Sequence, residues 1–372
     1  MSTLSQLQDQ IAAARCAQQT LRIRGGGTKD FYGNALGAFA VLDTRSHSGI
    51  TSYEPSELVV TVKAGTPLAE LEAALAEKNQ YLPFEPPSFS AGGTVGGMVA
   101  SGLSGAARAS VGSVRDHILG VQILNGAGEI LNFGGTVMKN VAGYDVSRLM
   151  AGSMGTLALI TEVSLKVLPI PLADATIGFD IDQTAALKLM NQWRAQPLPI
   201  NSTAWVPSHA TRGGKDGLFV RLRGANAAVQ SASELLMSRD GGYAIPLEHS
   251  ASEWLLATNL QLPFFSPPAP DLCLWRLSIS ATAPTLELPH LQYVDWQGAQ
   301  RWLWARATEQ SALQAIASKA GGHACLFKSS TSGLEADKVG GSFQPLAPVL
   351  AKINQGLRVQ LDPHQVFNTG RI

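Results

Sequence analysis

Apolar runs and amphipathic stretches alternate through the first 170 residues of the chain. The run ELVVTVKAG at 57–65 is rich in β-branched residues and ends in glycine, which predicts a strand. The next stretch, 66–80, carries leucines at helical spacing, with Thr66 suited to the N-cap and Pro67 to the first helical position. By the same criteria, strands are predicted at 21–24, 118–125, 129–133 and 157–169.

The second half of the chain has a different pattern and composition. All seven tryptophans lie beyond residue 190, whereas most glycines lie before residue 170, and Pro169 and Pro171 mark the change. The pattern predicts helices beside an antiparallel sheet, an α+β arrangement. Its strands are predicted at 217–224, 272–280 and 291–296, and its helices at 227–239 and 308–320.

Hydropathy also bears on location. Leu4, Leu7 and Ile11 are spaced as on the buried side of an amphipathic surface helix, and this segment lacks the apolar core of a signal peptide. No apolar run reaches the roughly 18 residues of a transmembrane helix, so no direct membrane span is expected. The expected location is the cytoplasm, with any attachment to the inner membrane made through partner proteins.

Charge and cysteine content exclude several functions. The 372 residues include 28 Lys and Arg against 28 Asp and Glu, so there is no basic footprint for nucleic acid. Cys16, Cys273 and Cys325 are far apart and form no CxxC pair. An iron–sulfur cluster or a structural zinc site held by this chain alone is therefore not expected, and no disulfide framework is indicated.

Three consecutive glycines follow the predicted strand at 21–24, in the sequence RIRGGGTK. Glycine allows the backbone to turn so that several N–H groups point at one anion, and Arg24, Thr28 and Lys29 surround this turn. A plain glycine-rich turn would have the same sequence. Three more segments of small residues, at 86–105, 111–130 and 139–169, favour a large ligand lying close to the backbone.

Known nucleotide motifs narrow the choice of ligand. Neither GxxxxGK[ST] nor GxGxxG occurs after the first strand, which argues against a P-loop or Rossmann site. The motifs RGGGTK, GTVGGMVASGLSG, GSVRDHILG and GSMGTLALITEVSLK, in this order, resemble the FAD-binding domain of the vanillyl-alcohol oxidase and p-cresol methylhydroxylase family.

The resemblance implies a fold, a cofactor and a set of site residues. The fold is α+β, with a two-subdomain FAD-binding domain at 1–171 and a smaller α+β cap domain with an antiparallel sheet at 172–350. A C-terminal segment, 351–372, returns to the flavin. The loop at 24–29 is expected to hold the FAD pyrophosphate. The cofactor-binding residues that the resemblance implies are Arg24, Gly25, Gly26, Gly27, Thr28, Lys29, Ser88, Gly93, Thr94, Gly97, Ser101, Gly102, Gly155, Thr156, Ile160, Asn368 and Arg371.

Some members of this family hold the flavin covalently through His or Cys. Residues 24–33 contain no His and 86–116 contain no Cys, so noncovalent FAD is expected. His47 and His117 fall outside the tethering positions, and ordinary structural roles are expected for both.

Within the family, the second half of the chain resembles the FAD-binding subunits of bacterial glycolate oxidases, in LWRLSISATAP, YVDWQGAQRWLWA and GGHACLFK. The implied partners are a larger flavoprotein subunit and an iron–sulfur subunit, and the implied substrate is a small 2-hydroxy acid. Arg276, Arg301 and Arg306 are candidates to bind its carboxylate and His323 is a candidate base. His323 has no neighbouring metal-ligand motif, so no metal is expected. The tryptophans and arginines of 293–306 suit either a docking surface or a buried core.

Three alternatives remain open at this stage. The fold equally suits a self-sufficient flavin oxidase or dehydrogenase acting on a small alcohol or hydroxy acid. A flavin reductase of the cell-wall precursor type would share the FAD domain but needs a Ser–Glu pair that the sequence does not reveal. A scaffold without cofactor is the non-enzymatic alternative, and the intact glycine-rich loops argue against it.

Overall fold

The computed structural model describes residues 3–135, 145–333, 336–368 and 370–372. Part of the predicted glycine-rich segment 139–169, up to residue 144, lies outside them. Within the described residues the helices are α1 (Thr3–Cys16), α2 (Leu68–Ala76), α3 (Val95–Ser101), α4 (Arg108–Val111), α5 (Val114–His117), α6 (Gln183–Arg194), α7 (Asn226–Asp240), α8 (Leu247–Thr258), α9 (Gln310–Lys319) and α10 (Pro348–Leu361).

The strands of the same residues belong to four sheets. They are β1 (Leu21–Arg24), β2 (Ala40–Asp43), β3 (Ile50–Glu54), β4 (Val59–Lys63), β5 (Gln80–Tyr81), β6 (Ile118–Leu124), β7 (Ile130–Gly134), β8 (Leu159–Lys166), β9 (Leu168–Pro169), β10 (Ala173–Phe179), β11 (Ile200–Val206), β12 (Gly217–Gly224), β13 (Tyr243–Ile245), β14 (Cys273–Ser278), β15 (Gln292–Asp295), β16 (Gln300–Ala305) and β17 (His323–Lys328). The predicted α+β class is confirmed.

The chain divides into two compact units. The first comprises 1–103, 113–170 and 345–372, and the second 104–112 and 171–344. Residues 104–112 cluster with the second unit, although the predicted first domain, 1–171, includes them. Two hydrogen bonds explain why: Ser110 Oγ donates to the Ile200 carbonyl at 2.7 Å, and Trp296 Nε1 donates to the Gly105 carbonyl at 2.9 Å.

The first unit is built on an antiparallel five-stranded sheet in the order β3-β4-β8-β6-β7, with β1 and β2 forming a separate parallel pair. One face of α2 packs into its core through Leu68, Leu71 and Leu75, the three leucines whose spacing predicted that helix. The predicted long strand at 157–169 is two strands, β8 and the short β9, which pair with different partners.

The predicted cap of α2 is wrong. The helix begins at Leu68 with Pro67 as its N-cap. Thr66 is instead buried, and its hydroxyl accepts a hydrogen bond from the Gly49 amide at 2.8 Å. The threonine therefore joins two segments of the first unit.

The second unit is built on an eight-stranded antiparallel sheet in the order β13-β10-β12-β11-β15-β16-β14-β17. The apolar faces of α6 and α7 pack in one core with β10, β11 and β12. The apolar face of α9 packs in another core with β14, β16 and β17. No helix within the described residues of either unit is long and apolar enough to cross a membrane.

Candidate cofactor-binding site

The three glycines after β1 lie against a second glycine-rich segment of the first unit. A Cβ added at Gly26 would overlap the carbonyl group of Gly92, and one at Gly25 would overlap the side chain of Thr94. Gly27 has φ +72°, a left-handed conformation that favours glycine. Two backbone segments thus approach more closely than side chains would allow, and the glycines meet the needs of the protein's own packing.

Helix α3 begins directly after this contact. Thr94 is its N-cap, and the hydroxyl of Thr94 accepts a hydrogen bond from the Gly97 amide at 3.2 Å. A Cβ at Gly96 would lie 2.7 Å from that of Ala64 at the end of β4, so α3 packs against the sheet through glycine. The run of small residues in α3 is therefore explained on one side by this packing.

The C-terminal segment is hydrogen-bonded to the same region. Asn368 Oδ1 accepts from the Ile23 amide at 2.8 Å, and its Nδ2 donates to the Met154 carbonyl at 2.6 Å. Arg371 donates to the backbone carbonyls of the loop at 30–34. Both side chains hold separate parts of the chain together, which their separation in sequence could not reveal.

Positive charge predominates at this site. Arg22 and Arg24 both contact Asp30, at 2.5 and 3.2 Å, so one carboxylate is shared between two guanidinium groups. Burial lowers the pKa of Lys29 from 10.5 to about 8, and burial also lowers the pKa of Arg371 to about 10. A bound anion would favour the charged forms of both.

These elements line an open groove in the first unit. Its lining combines the glycine loop, α3 and the C-terminal segment with residues of 154–160. All but four of the predicted cofactor residues line the groove: Arg24, Gly25, Gly26, Gly27, Thr28, Lys29, Thr94, Gly97, Ser101, Gly155, Ile160, Asn368 and Arg371.

The four other predicted residues, Ser88, Gly93, Gly102 and Thr156, do not line the groove. Gly93 lies beside it, since its Cβ would be 3.5 Å from Thr28 Oγ1. Gly102 ends α3 with φ +63°, and Thr156 is buried with its hydroxyl donating to the Ser153 carbonyl at 2.8 Å. Packing and turn formation therefore account for the last two.

Several lining residues were not predicted. Asp30 is the most informative of them, because an acid six and eight residues after two strand arginines could have suggested their pairing. The others carry no distinctive signal in the sequence: Arg22, Ile23, Leu36, Thr44, Ala64 and Gly96.

His47 and His117, for which the sequence predicts structural roles rather than flavin attachment, are both buried. His47 forms a hydrogen bond of 2.9 Å between its Nδ1 and Thr3 Oγ1. His117 packs beside Phe84, with the ring centroids 5.3 Å apart. Each has the structural contacts of a core residue.

In the second unit, sheet pairing brings some of the predicted substrate residues to one face. Asp295 pairs with Gln300, Gln300 with Ser278, and Ser278 with His323. Directly paired residues share a face of the sheet, and Arg276 lies on this face two residues before Ser278. The register therefore aligns Asp295, His323 and Arg276, although only the last two were predicted.

Two residues of the row formed by Asp295, His323 and Arg276 have shifted pKa values. Burial raises the pKa of Asp295 to about 7, against the opposing hydrogen bond from Gln300 and the charge of Arg276. Burial, Arg276 and Arg108 together lower the pKa of His323. A buried carboxyl group that titrates near neutrality is a common feature of functional sites.

The other two predicted arginines lie elsewhere. Arg301 pairs with Leu277 on the opposite face, is fully buried, and donates to the carbonyls of Gly298 and Ala283 at 3.0 and 3.1 Å. Arg306 is exposed and contacts Asp271 at 2.9 Å. Both have protein partners away from the row.

The hypothesis of a docking surface at 293–306 is wrong. Trp296, Trp302 and Trp304 are all buried, and the last two belong to β16 in the middle of the sheet. Their rings fill the second unit rather than presenting anchors to a partner.

The chain is similar to a known family, to solved structures and to other sequences. A family described as an FAD binding domain matches residues 1–146. Two solved structures of alkyldihydroxyacetonephosphate synthase share the fold; one has a TM-score of 0.64 at 16% identity, covering 97% of this chain and 73% of that one.

The sequence relatives match regions of different length in this chain. The D-lactate dehydrogenase of Anaerostipes hadrus is 36% identical over 137 residues, 37% of this chain and 28% of the relative. Glycolate oxidase subunit GlcD of Bacillus subtilis (strain 168) is 32% identical over 128 residues, 34% of this chain and 27% of the relative. Glycolate oxidase subunit GlcE of Escherichia coli (strain K12) is 42% identical over 366 residues, 98% of this chain and 96% of the relative.

The family model and these relatives show that the cofactor is FAD and that the chain is an FAD-dependent oxidoreductase. The chain belongs to the family of the glycolate oxidase subunit GlcE.

Proposed function

We propose that the chain is the FAD-binding subunit of a glycolate oxidase complex, which oxidises glycolate to glyoxylate and passes electrons through flavin to an iron–sulfur partner. The observation that carries this proposal is the similarity to GlcE, because it spans nearly the whole of both chains and includes the second unit. Glycolate loses two electrons and two protons in this reaction.

The groove of the first unit suits FAD. Six glycines are among its lining residues, and its charged groups favour an anion. Bound there, FAD supplies a two-electron acceptor for the alcohol. We propose that Arg24 and Lys29, with the amides of Gly25, Gly26 and Gly27, hold the pyrophosphate.

The remaining groove residues are proposed to line the cofactor through backbone and small side chains. Residues 154–160 would lie along the adenine and ribose, and Thr94, Gly97 and Ser101 along the middle of the groove. Asn368 and Arg371 use their side-chain polar atoms on protein backbone, so we assign both the task of holding the walls of the groove in place.

The proposed partners are the subunits that would carry electrons away from the flavin. Iron–sulfur clusters are held by grouped cysteines, whereas Cys273 and Cys325 are buried in neighbouring strands and Cys16 lies far away in sequence. A larger flavoprotein subunit and an iron–sulfur subunit would supply the acceptor chain. The sequence similarity to the GlcD subunit is partial, since it covers about a third of this chain.

The row on the second sheet is the proposed contact for the hydroxy acid. The guanidinium group of Arg276 would bind the carboxylate, and His323 or Asp295 would accept the hydroxyl proton. In the assembled complex, Arg276→Ala should raise the KM for glycolate about tenfold or more, since one charge-assisted contact is lost. Arg306→Ala is the control, because Arg306 contacts Asp271 on the surface. Equal KM values for the two variants would contradict this assignment.

The function is tested with the chain alone and with its companion subunits. Acid precipitation should release the flavin into the supernatant, as noncovalent binding requires. Dye reduction by glycolate should be slow for the chain alone and rise when both companions are added. Turnover near ten per second by the chain alone, a typical enzyme value, would favour the self-sufficient dehydrogenase, and flavin retained in the pellet would refute noncovalent binding.

A further inference from the structure

Helix α10 carries an apolar stripe that is only half covered. Residues 349, 353, 357 and 361 recur every four positions, and residue 350 lies three positions before 353, so their side chains share one face of the helix. In the C-terminal half, Leu357 and Leu361 pack against the core of the first unit. The same stripe continues toward the helix N-terminus beyond that core.

The N-terminal half of the stripe is exposed. Val349 is 71% exposed, and Leu350 and Ile353 are each 55% exposed. Leu346, just before the helix, is 52% exposed as well. Together these four residues present on the order of 400 Å² of largely apolar surface, the size of patch that marks an interaction site on a soluble protein.

The charges of α10 indicate the kind of surface that covers the stripe. The helix has two cationic residues, Lys352 and Arg358, and no acidic residue. By helical geometry these two cations flank the stripe on opposite sides. An apolar surface with an acidic rim would complement both features.

Two other occupants fit less well. A second copy of this chain would bring the same cations together, and like charges at an interface are unfavourable. A lipid surface is usually bound by helices with aromatic residues and several cations, whereas α10 has no aromatic residue and only two cations.

We infer that the N-terminal half of α10 docks onto an acidic-rimmed apolar surface of a companion subunit. This inference rests on the proposed function, because it names the contact surface of the proposed complex. Val349, Leu350 and Ile353 are the buried centre of the contact, and Lys352 lies at its rim.

The test uses the full-length chain co-expressed with the larger flavoprotein and iron–sulfur subunits from the same source. The variant Val349→Ser with Ile353→Ser should weaken co-elution about tenfold or more, because it removes the apolar centre. Lys352→Glu should weaken it too, with a loss that diminishes at high salt. FAD content checks that each variant is folded.

Val359→Ser is the matched control. Val359 is 51% exposed on the same helix, but its position in sequence places it off the stripe. It should leave co-elution unchanged. Equal behaviour of all variants and wild type would overturn the docking inference while leaving the complex in place.

The remaining outcomes separate the docking surface from the complex itself. If the wild-type chain binds neither companion subunit, the proposed complex and this inference both fail. If the stripe variants instead abolish dimerisation of the lone chain, or its flotation with phosphatidylglycerol vesicles, the occupant is a second copy or a membrane and the inference is wrong.

Discussion

At the scale of single residues, Gly97 offers a direct test of the groove. It lines the groove, and an added Cβ would meet only Thr94 Oγ1, at 3.2 Å. Gly97→Asp should lower FAD affinity at least about tenfold, because a carboxylate would oppose the pyrophosphate. The fold should persist, since an acid in the first turn of a helix is favourable. Gly213→Asp is the control, with nothing near its added Cβ; equal flavin content in both folded variants would place the cofactor elsewhere.

Position 26 requires glycine for a different reason than position 97. The difference matters for interpreting substitutions at the two positions. A Cβ added at Gly26 would overlap the carbonyl of Gly92 even without cofactor. A Gly26 variant therefore loses flavin partly because two loops separate, whereas the Cβ of a Gly97 variant meets only one side-chain atom and leaves the backbone contacts in place.

Lys29 should make FAD affinity depend on pH. Its pKa is lowered to about 8 by burial, so between about pH 8 and 10.5 the unfolded chain holds more protons than the folded protein. The stability of the FAD-free protein should rise with pH across that window, as the cost of burying the charge disappears. FAD affinity should change in the opposite direction, falling as pH rises through 8 by up to about tenfold per pH unit, because the pyrophosphate prefers charged Lys29.

The control for this pH dependence is Lys29→Arg, whose side chain stays charged across the range. Its FAD affinity, measured by fluorescence titration from pH 7 to 9.5, should be nearly flat. The same slope in both proteins would show that another group is responsible.

At the scale of elements, the C-terminal segment is attached to β1 much as an additional strand would be. The Leu21 amide donates to the Val366 carbonyl at 2.6 Å, and the Asn368 amide donates to the Leu21 carbonyl at 3.0 Å. The Asn368 side chain adds contacts to Ile23 and Met154. One residue thus connects β1, the loop before β8 and the end of the chain.

Asn368→Ala should destabilise this connection by about 1–3 kcal/mol, the usual effect of leaving partly buried polar groups unpaired. Asn368 also has φ +36°, a region where Asn is better tolerated than Ala. Hydrogen exchange at the Ile23 amide should accelerate in this variant. Asn368→Asp keeps an acceptor for that amide and should protect it better; equal exchange in the two variants would contradict the assignment.

At the scale of the whole molecule, the sequence predicts those structural features that neighbouring residues determine. The glycine-rich segments predicted a close ligand because small residues allow close approach, and the leucines of α2 predicted a buried face. The contact of Asn368 with Ile23 could not be predicted, since it joins residues 345 positions apart. The pKa of Asp295 was equally hidden, because it depends on which strands pair around it. Thr66 shows the same limit at close range: a good N-cap residue was taken by a contact with Gly49.

Gly25, Gly26 and Gly27 line the groove without side chains, so this part of its floor is made of main chain. Alanine scanning, which works by deleting side chains, has nothing to delete there and would pass over these positions or register only added bulk. Chemical labelling of side chains would miss them for the same reason. Mapping this floor calls for the opposite strategy, in which atoms are added one methyl group at a time or amides are replaced by esters.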